Sequence, residues 1–217
     1  GRVMIFAKNL VKRFDEKEAL KNISLQIAEG SVYGLVGSNG SGKSTLLRLI
    51  SGVYMADEGK VGIDGENTFN NPALKSQIAF LGDTPYFLPQ SDLKEMAALY
   101  SNMYPSFDYE IYNHLLTVFP LDQKARLSTF SKGMQRQAAL ILSLSTKPKY
   151  ILLDEAFDGL DVVMRRVLAN IIMESVEKYG MTAVIASHNL REIEDICDHI
   201  GLLHKGGILF ESELDSL

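Results

Sequence analysis

The chain has 217 residues, of which 46% are hydrophobic, with a formal net charge of −5 and a single cysteine. This length and apolar content suffice for one large domain with its own core, and one cysteine excludes an internal disulfide framework. The acidic balance argues against nucleic acid as a partner, because a surface that binds it has to neutralise phosphates.

The N-terminal part of the sequence predicts β structure. Three runs with β-type patterning, Val3–Phe14, Ile23–Ile27 and Val32–Val36, are separated by charged or glycine-containing turns. No apolar run reaches the roughly 18–20 residues that span a bilayer, and no long apolar block follows the first lysines as it would in a signal peptide. We therefore expect a soluble chain in the cytosol.

A glycine-rich loop follows the third run directly and matches the pattern G-x-x-x-x-G-K-[ST]. Its residues are Gly37, Ser38, Asn39, Gly40, Ser41, Gly42, Lys43, Ser44 and Thr45. The leucines in Lys43–Ile50 recur at helical spacing, so the loop joins a strand to a helix. In this setting backbone N–H groups and the helix dipole bind phosphates, which leaves a plain glycine turn as a poor alternative. We expect Lys43 to reach the β- and γ-phosphates of a nucleotide and the Ser44 hydroxyl to ligate Mg²⁺.

The rest of the chain predicts further strands around a helical insertion. Strands are expected at Lys60–Ile63 and Gln77–Leu81, and from about residue 84 to 146 apolar residues recur at helical steps. Beyond this stretch the expected strands are Tyr150–Leu153, Thr182–Ala186 and Ile200–Leu203, with a helix at Val162–Lys178. These last strands are almost wholly apolar, as a parallel sheet covered on both faces requires.

The whole pattern predicts an α/β fold. We expect a P-loop NTPase core with a mainly parallel sheet, an N-terminal antiparallel β part and an inserted α-helical subdomain. Together these would form a single domain over residues 1–217.

Two acids, Asp154 and Glu155, end the strand that begins at Tyr150. Adjacent carboxylates at a buried strand end usually serve a cation or a reaction, because unpaired buried charge is costly. We expect Asp154 to hold the Mg²⁺ shell and Glu155 to orient the attacking water as general base. Taken alone, the pair also fits a strand that ends in solvent, which the phosphate loop disfavours.

Several further segments occur in the order typical of one family. Phe130–Gln135, which reads FSKGMQ, resembles the LSGGQ signature of ATP-binding cassettes. Asp154–Asp161 resembles the end of the Walker B strand with its D-loop, and Ser187-His188 resembles the switch histidine segment. Over essentially its whole length the chain therefore resembles the ATP-binding subunit of an ABC transporter. The SKGM form of the signature resembles the bacterial exporter-type group.

This resemblance implies a mechanism and partners. In the family two such domains bind head to tail with ATP between them, so Ser131 and Gly133 would contact the ATP of the opposite subunit. A helix that begins at about Ser131 would present its N-terminus to that γ-phosphate. His188 would contact the γ-phosphate unless it caps the next helix, and Phe14 would stack on adenine unless it is an ordinary core residue.

The implied cofactors are ATP and Mg²⁺. The implied partners are a separate transmembrane permease and a second ATPase subunit in a homo- or heterodimer. The chain would then lie at the inner face of the cell membrane, held there by the permease.

The chain departs from the family pattern at three places. Lys132 replaces the first glycine of the signature and Met134 its glutamine, which marks either a subgroup or a weakly active site. Alignment of Ile78–Leu81, Pro85 and Pro89 with the family pattern puts Asp83 where a glutamine normally serves Mg²⁺, while Gln90 falls several residues too late. An aspartate could still ligate Mg²⁺ there, although its side chain is shorter and charged. Phe14 replaces the more usual tyrosine.

Other functions stay open at this point. Tyr86, Phe87 and Leu88 are expected either to contact the permease or to fold into the core of the helical subdomain. A soluble cassette ATPase of ribosomes or DNA is one alternative, although the interval between Lys43 and Ser131 has no heptad run for a coiled coil. A nucleotide-binding regulator without turnover is another.

Overall fold

The computed structural model describes residues 2–214. Two compact units make up the chain, the first containing the sequence up to Gly82 and again from Lys149, and the second Asp83–Pro148. The insertion expected at about residues 84–146 lies in the second unit, and its place within a single domain stays a prediction. In the described part of the chain, no helix is both long and apolar enough to cross a membrane.

Ten strands among residues 2–214 form two sheets in the first unit. In chain order they are β1 (Val3–Phe14), β2 (Lys17–Ala28), β3 (Val32–Val36), β4 (Glu58–Ile63), β5 (Glu66–Asn67), β6 (Ile78–Leu81), β7 (Tyr150–Asp154), β8 (Thr182–Ser187), β9 (His199–His204) and β10 (Gly207–Glu213). The first sheet is antiparallel with the order β2-β1-β4-β5. The second has the order β10-β9-β3-β8-β7-β6 and is parallel except for β10. Both parts of the predicted β architecture are confirmed.

Helices occur in both units. They are α1 (Lys43–Ile50), α2 (Pro72–Lys75), α3 (Leu93–Met103), α4 (Tyr109–Val118), α5 (Lys132–Ser145), α6 (Val162–Tyr179) and α7 (Leu190–Ile193). The second unit holds α3, α4 and α5 with a short 3₁₀ helix at Leu127–Thr129 and one isolated bridge between Asp92 and Arg126. The sequence prediction of helices in this stretch is confirmed.

The core of the first unit lies around α1. Every residue of β3, β7 and β8 is buried, which explains why these three strands are almost wholly apolar in sequence. Leu46, Leu47, Leu49 and Ile50 of α1 pack in one cluster with side chains of both sheets. The loop between β3 and α1 therefore rests on the core of the first unit.

The strand predictions erred at the sheet edges. β2 begins at Lys17 rather than Ile23, and β10 was not predicted at all. Both are edge strands that pair with one neighbour each, so much of their surface faces solvent and carries charged residues. The apolar patterning that reveals a buried strand is weak in such segments.

Candidate nucleotide site

The phosphate loop has a backbone that two of its glycines make possible. Gly40 and Gly42 have φ values of 83° and 109°, where L side chains are strained. A Cβ on Gly42 would also lie 2.7 Å from Leu20 Cδ2 and 3.0 Å from the carbonyl oxygen of Ala19. Thus Gly42 is required both by its conformation and by the close approach of β2.

Lys43 is held inside this loop. Its side chain is 5% exposed, and its ammonium donates to the carbonyl oxygens of Gly37 and, at 3.2 Å, of Ser38. The ammonium also lies 3.5 Å from Glu155 Oε1. The loop therefore fixes one positive charge beside a carboxylate at the end of β7.

The remaining loop residues frame this lysine. Ser38, Asn39 and Gly40 are exposed at the top of the loop, while Thr45 is half-buried in the first turn of α1. Ser41 is buried and accepts a hydrogen bond from the N–H of Gly206 through its carbonyl oxygen at 2.9 Å. The backbone at Ser41 is thus held by a hydrogen bond, whereas Ser38, Asn39 and Gly40 face solvent.

Ser44 and Asp154 form the second contact between loop and strand end. The Ser44 hydroxyl donates to Asp154 Oδ2 at 2.6 Å. Asp154 is 4% exposed, and its Oδ1 atom has no hydrogen-bond partner among the described residues. Burial raises the pKa of Asp154, an effect that the Ser44 hydrogen bond opposes. A hydroxyl and a carboxylate with a spare oxygen are hard ligands of the kind Mg²⁺ prefers, so the residues present fit this ion.

Glu155 and His188 face each other across neighbouring strands. Because β7 and β8 run parallel with Asp154 opposite Ala186, the residues that follow these two positions meet at one edge of the sheet. His188 Nδ1 lies 2.9 Å from Glu155 Oε2, and its Nε2 lies 3.8 Å from Asp158 Oδ1. The hydrogen bond with Glu155 raises the pKa of His188.

The backbone of Glu155 is strained. Its φ is 58°, which is uncommon outside glycine, asparagine and aspartate, and its N–H donates to Ala186 O at 2.9 Å. Such conformations persist where the surroundings hold them and cluster at functional sites. Here they direct the Glu155 carboxylate between Lys43 and His188.

Phe14 lies at the end of the β1–β2 hairpin, where it pairs with Lys17. It is 41% exposed, so it is not an ordinary core residue. The same hairpin brings Ala19 and Leu20 against Gly42, which places the aromatic ring on the strand pair that borders the phosphate loop. Its stacking on adenine stays a prediction.

The signature residues belong to the second unit. Ser131 caps α5 by accepting a hydrogen bond from the N–H of Met134 at 3.2 Å, as expected for a helix that begins there. Ser131, Lys132 and Gly133 are all exposed. A Cβ on Gly133 would meet nothing nearer than Ser131 Oγ at 4.0 Å. Packing within the unit therefore does not require this glycine.

Asp83 also lies in the second unit, where it has a partner that the sequence did not predict. Its carboxylate is 3.1 Å from the guanidinium of Arg136 on α5. Nearby in sequence, Tyr86 is 77% and Leu88 47% exposed, whereas Phe87 is half-buried. The structure thus leaves two of the three apolar residues of this segment at the surface.

A phosphate loop whose lysine lies beside the acids at the end of another parallel strand of the same sheet defines a P-loop nucleoside-triphosphate-binding protein. More specifically, the family model described as ABC transporter matches residues 20–158. ABC transporter ATP-binding protein YtrB of Bacillus subtilis (strain 168) is 33% identical over 214 residues, covering 99% of this chain and 73% of that protein. The chain therefore belongs to the ABC transporter family, as an ATP-binding subunit of a membrane transporter.

Two further similarities agree with this assignment. Lantibiotic transport ATP-binding protein SrtF of Streptococcus pyogenes is 31% identical over 225 residues, covering 98% of this chain and 92% of that protein. A solved structure of the ATP binding subunit of an ABC transporter superposes with a TM-score of 0.88 at 26% identity, covering 98% of this chain and 90% of that one. Membership of this family carries with it the binding and hydrolysis of ATP.

Proposed function

We propose that the chain is a Mg²⁺-dependent ATPase in which Glu155 is the general base. The observation that carries this proposal is the position of the Glu155 carboxylate, between the Lys43 ammonium at 3.5 Å and the His188 ring at 2.9 Å. A carboxylate held by two such groups is fixed in orientation, which a base that has to align a water requires.

Each neighbouring residue has a role in this proposal. The loop N–H groups and Lys43 bind the β- and γ-phosphates. Ser44 and Asp154 would hold Mg²⁺, which when bound would neutralise charge on the phosphates. Glu155 orients the attacking water and takes its proton, and His188 keeps the Glu155 carboxylate in place and contacts the γ-phosphate.

Asp83 is the third member of the predicted metal set. Its carboxylate is engaged by Arg136 within the second unit. We propose Ser44 and Asp154 as the Mg²⁺ ligands and assign Asp83 to that ion pair.

The signature segment is proposed to act on the ATP of a second subunit. Ser131 and Gly133 lie at the exposed N-terminus of α5, and no packing within their unit explains a glycine at position 133. A helix N-terminus attracts phosphate, so a head-to-tail homo- or heterodimer would give these exposed groups a ligand. ATP would hold the two subunits together, and hydrolysis would release them.

The membrane partner is proposed to be a separate permease of an exporter. The SKGM signature supports export as the direction of transport, as does the similarity to a protein named for lantibiotic transport. Leu88 and Tyr86, which are exposed apolar residues, are the proposed contact with the permease. The chain would then work at the inner face of the membrane.

The test of the hydrolytic mechanism is steady-state phosphate release with Mg²⁺, with EDTA, and in a Glu155→Gln variant. Loss of a general base is expected to lower turnover by about 10²–10⁴-fold, with ATP affinity retained. Glu177→Gln, an exposed residue on α6, is the matched control and should hydrolyse ATP normally. Turnover that persists in EDTA or in Glu155→Gln would contradict the proposal.

The test of the membrane partner is recovery of the tagged chain from native membranes, with bound proteins identified by mass spectrometry. A multi-spanning protein in stoichiometric amount is expected. Loss of that protein from a Leu88→Asp variant that still binds ATP would locate the contact. Recovery of ribosomal or DNA-bound proteins instead would favour a soluble cassette ATPase.

A further inference from the structure

Phe14 contacts a second aromatic residue at the end of its hairpin. Its ring packs edge-on with the ring of Tyr54, with the ring centroids 5.3 Å apart and the planes inclined by 71°. Tyr54 follows α1 in sequence and is itself half-buried against the core. The two aromatic residues therefore join the hairpin to the segment that leaves the phosphate-loop helix.

Lys12 lies over both rings. Its ammonium is 5.3 Å from the centroid of Phe14 and 5.8 Å from that of Tyr54. The same ammonium donates to the carbonyl oxygen of Met55 at 2.9 Å and lies 3.6 Å from Asp57. A cation fixed in this way contributes attraction to both rings and limits how far either can turn.

The segment that carries Tyr54 is tied down at both ends. At its start, the N–H of Tyr54 donates to the carbonyl oxygen of Arg48 in α1 at 3.2 Å. At its end, Asp57 donates its N–H to Val11 O at 3.0 Å and accepts from the N–H of Arg13 at 2.6 Å. The segment is therefore a rigid bridge between the helix of the phosphate loop and strand β1.

We propose that Tyr54 is a positioning residue for nucleotide binding: it holds the Phe14 ring at the angle from which that ring stacks on the base. This rests on the proposed stacking of adenine on Phe14. An exposed aromatic ring at a hairpin end has rotational freedom, and stacking gains from a ring whose orientation is fixed beforehand. Tyr54 makes no contact with the ligand in this account and acts through Phe14.

The inference separates binding of the base from binding of the phosphates. Inorganic tripolyphosphate carries the phosphates without the nucleoside, so the ratio of its Kd to that of ATP measures what the base and the ribose together contribute. Edge-to-face aromatic pairs contribute about 0.5–1.5 kcal/mol, so Tyr54→Ala should weaken ATP binding by about two- to tenfold. Tripolyphosphate binding should be unchanged, and Tyr54→Phe, which keeps the ring, should restore ATP affinity.

The experiment is a double-mutant cycle in the full chain, with calorimetric Kd values for ATP and tripolyphosphate in EDTA, which prevents turnover. Phe14→Ala is expected to weaken ATP by roughly five- to 150-fold, as loss of a base stack would. Tyr54→Ala should add nothing further to Phe14→Ala, because Tyr54 acts through that ring. Tyr179→Ala, an exposed tyrosine at the end of α6, is the control and should bind both ligands normally.

Four outcomes would overturn the inference. Equal weakening of tripolyphosphate and ATP by Tyr54→Ala would make Tyr54 a support of the loop rather than of the ring. If the two substitutions had additive effects on ATP binding, or if Tyr54→Ala had no effect, Tyr54 would not act through Phe14. If Phe14→Ala left the ratio of the tripolyphosphate Kd to the ATP Kd unchanged, Phe14 would not stack on the base. This result comes from the Phe14→Ala variant alone, so it tests the stacking separately from the role of Tyr54.

Discussion

The phosphate loop and the signature segment contain the same three residue types in opposite settings. In the loop, Lys43 is buried, Ser44 donates to a carboxylate, and Gly42 is wedged against β2. In the signature, Lys132 is exposed, Ser131 caps its own helix, and Gly133 has open space around it.

The comparison shows where the chemistry of each region comes from. The loop is completed by contacts within its own unit, so its geometry explains its residues. The signature is not explained by its own unit, because neither Lys132 nor Gly133 is required there by packing. We infer that the signature residues are explained by a second subunit, and matched substitutions in the two regions test this contrast.

The largest expected effect on ATP binding separates the two lysines. Lys43→Ala should weaken ATP binding by about 10–150-fold, since hydrogen bonds to charged groups contribute about 1.5–3 kcal/mol. Lys132→Ala should leave the Kd of the isolated subunit within about twofold of the parent, because an exposed lysine in the second unit makes no such bond. Calorimetry in EDTA gives both Kd values. An equal loss of ATP affinity in the two variants would contradict the difference between the phosphate loop and the signature segment.

The two glycines should differ in folding stability. Gly42→Ala is expected to lower the free energy of unfolding by about 2–4 kcal/mol, because strain at positive φ adds to the clash with Leu20 and Ala19. Gly133→Ala should raise it by about 0.5–1 kcal/mol, because alanine favours a helix over glycine. Denaturant titration measures both.

Gly40→Ala is the control for the clash at Gly42. Gly40 has a φ of 83° but no atom within 4 Å of an added Cβ. The Gly40→Ala variant should therefore lose only the part of the unfolding free energy that comes from backbone strain. A Gly42→Ala variant no less stable than Gly40→Ala would contradict the close approach of β2.

Ser131→Ala should cost about 1 kcal/mol of unfolding free energy through the lost helix cap. If Ser131 also contacts the opposite ATP, turnover falls while the Kd of the isolated subunit is unchanged. Asp92→Ala removes a comparable cap, since Asp92 Oδ1 accepts from Glu95 N at 2.7 Å on α3. The Asp92→Ala variant should lose stability and keep its turnover. If Asp92→Ala and Ser131→Ala lost turnover to a similar extent, the loss in Ser131→Ala would come from the helix cap and not from contact with ATP.

The smallest effect concerns the charge of His188. Its pKa is raised above 6.5 by Glu155, so the stabilisation from this pair is full below about pH 6.5 and is lost as pH rises through the raised value. NMR titration should show the pKa falling towards 6.5 in Glu155→Gln. The pKa of His199, raised by Asp198, should not move in that variant. An unchanged pKa of His188 would mean that the two side chains are not paired.

Much of this site could be predicted from the sequence because its residues are contiguous. The phosphate loop and the acids at the end of β7 are local patterns whose backbone conformation follows from the glycines and the apolar strands. The meeting of Glu155 with His188 was not predicted, because it depends on β7 and β8 being neighbouring parallel strands, which the sequence does not show.

The rest depended on pairings between distant segments. Arg136 meets Asp83, and Tyr54 meets Phe14, without any periodic pattern that would indicate either contact. The edge strand β10 escaped prediction because its mixed burial gives no regular alternation. Side-chain pairing across the fold is set by packing, which a single sequence does not display.

The most direct test of the central claim is the mass of the Glu155→Gln subunit in solution, measured by light scattering with MgATP and with MgADP. The subunit is purified with any ATPase subunit that accompanies it. The account predicts a dimer with MgATP, monomers with MgADP, and a weaker dimer when Ser131→Ala is added. The same mass with both nucleotides would contradict a signature segment that acts on the ATP of a second subunit.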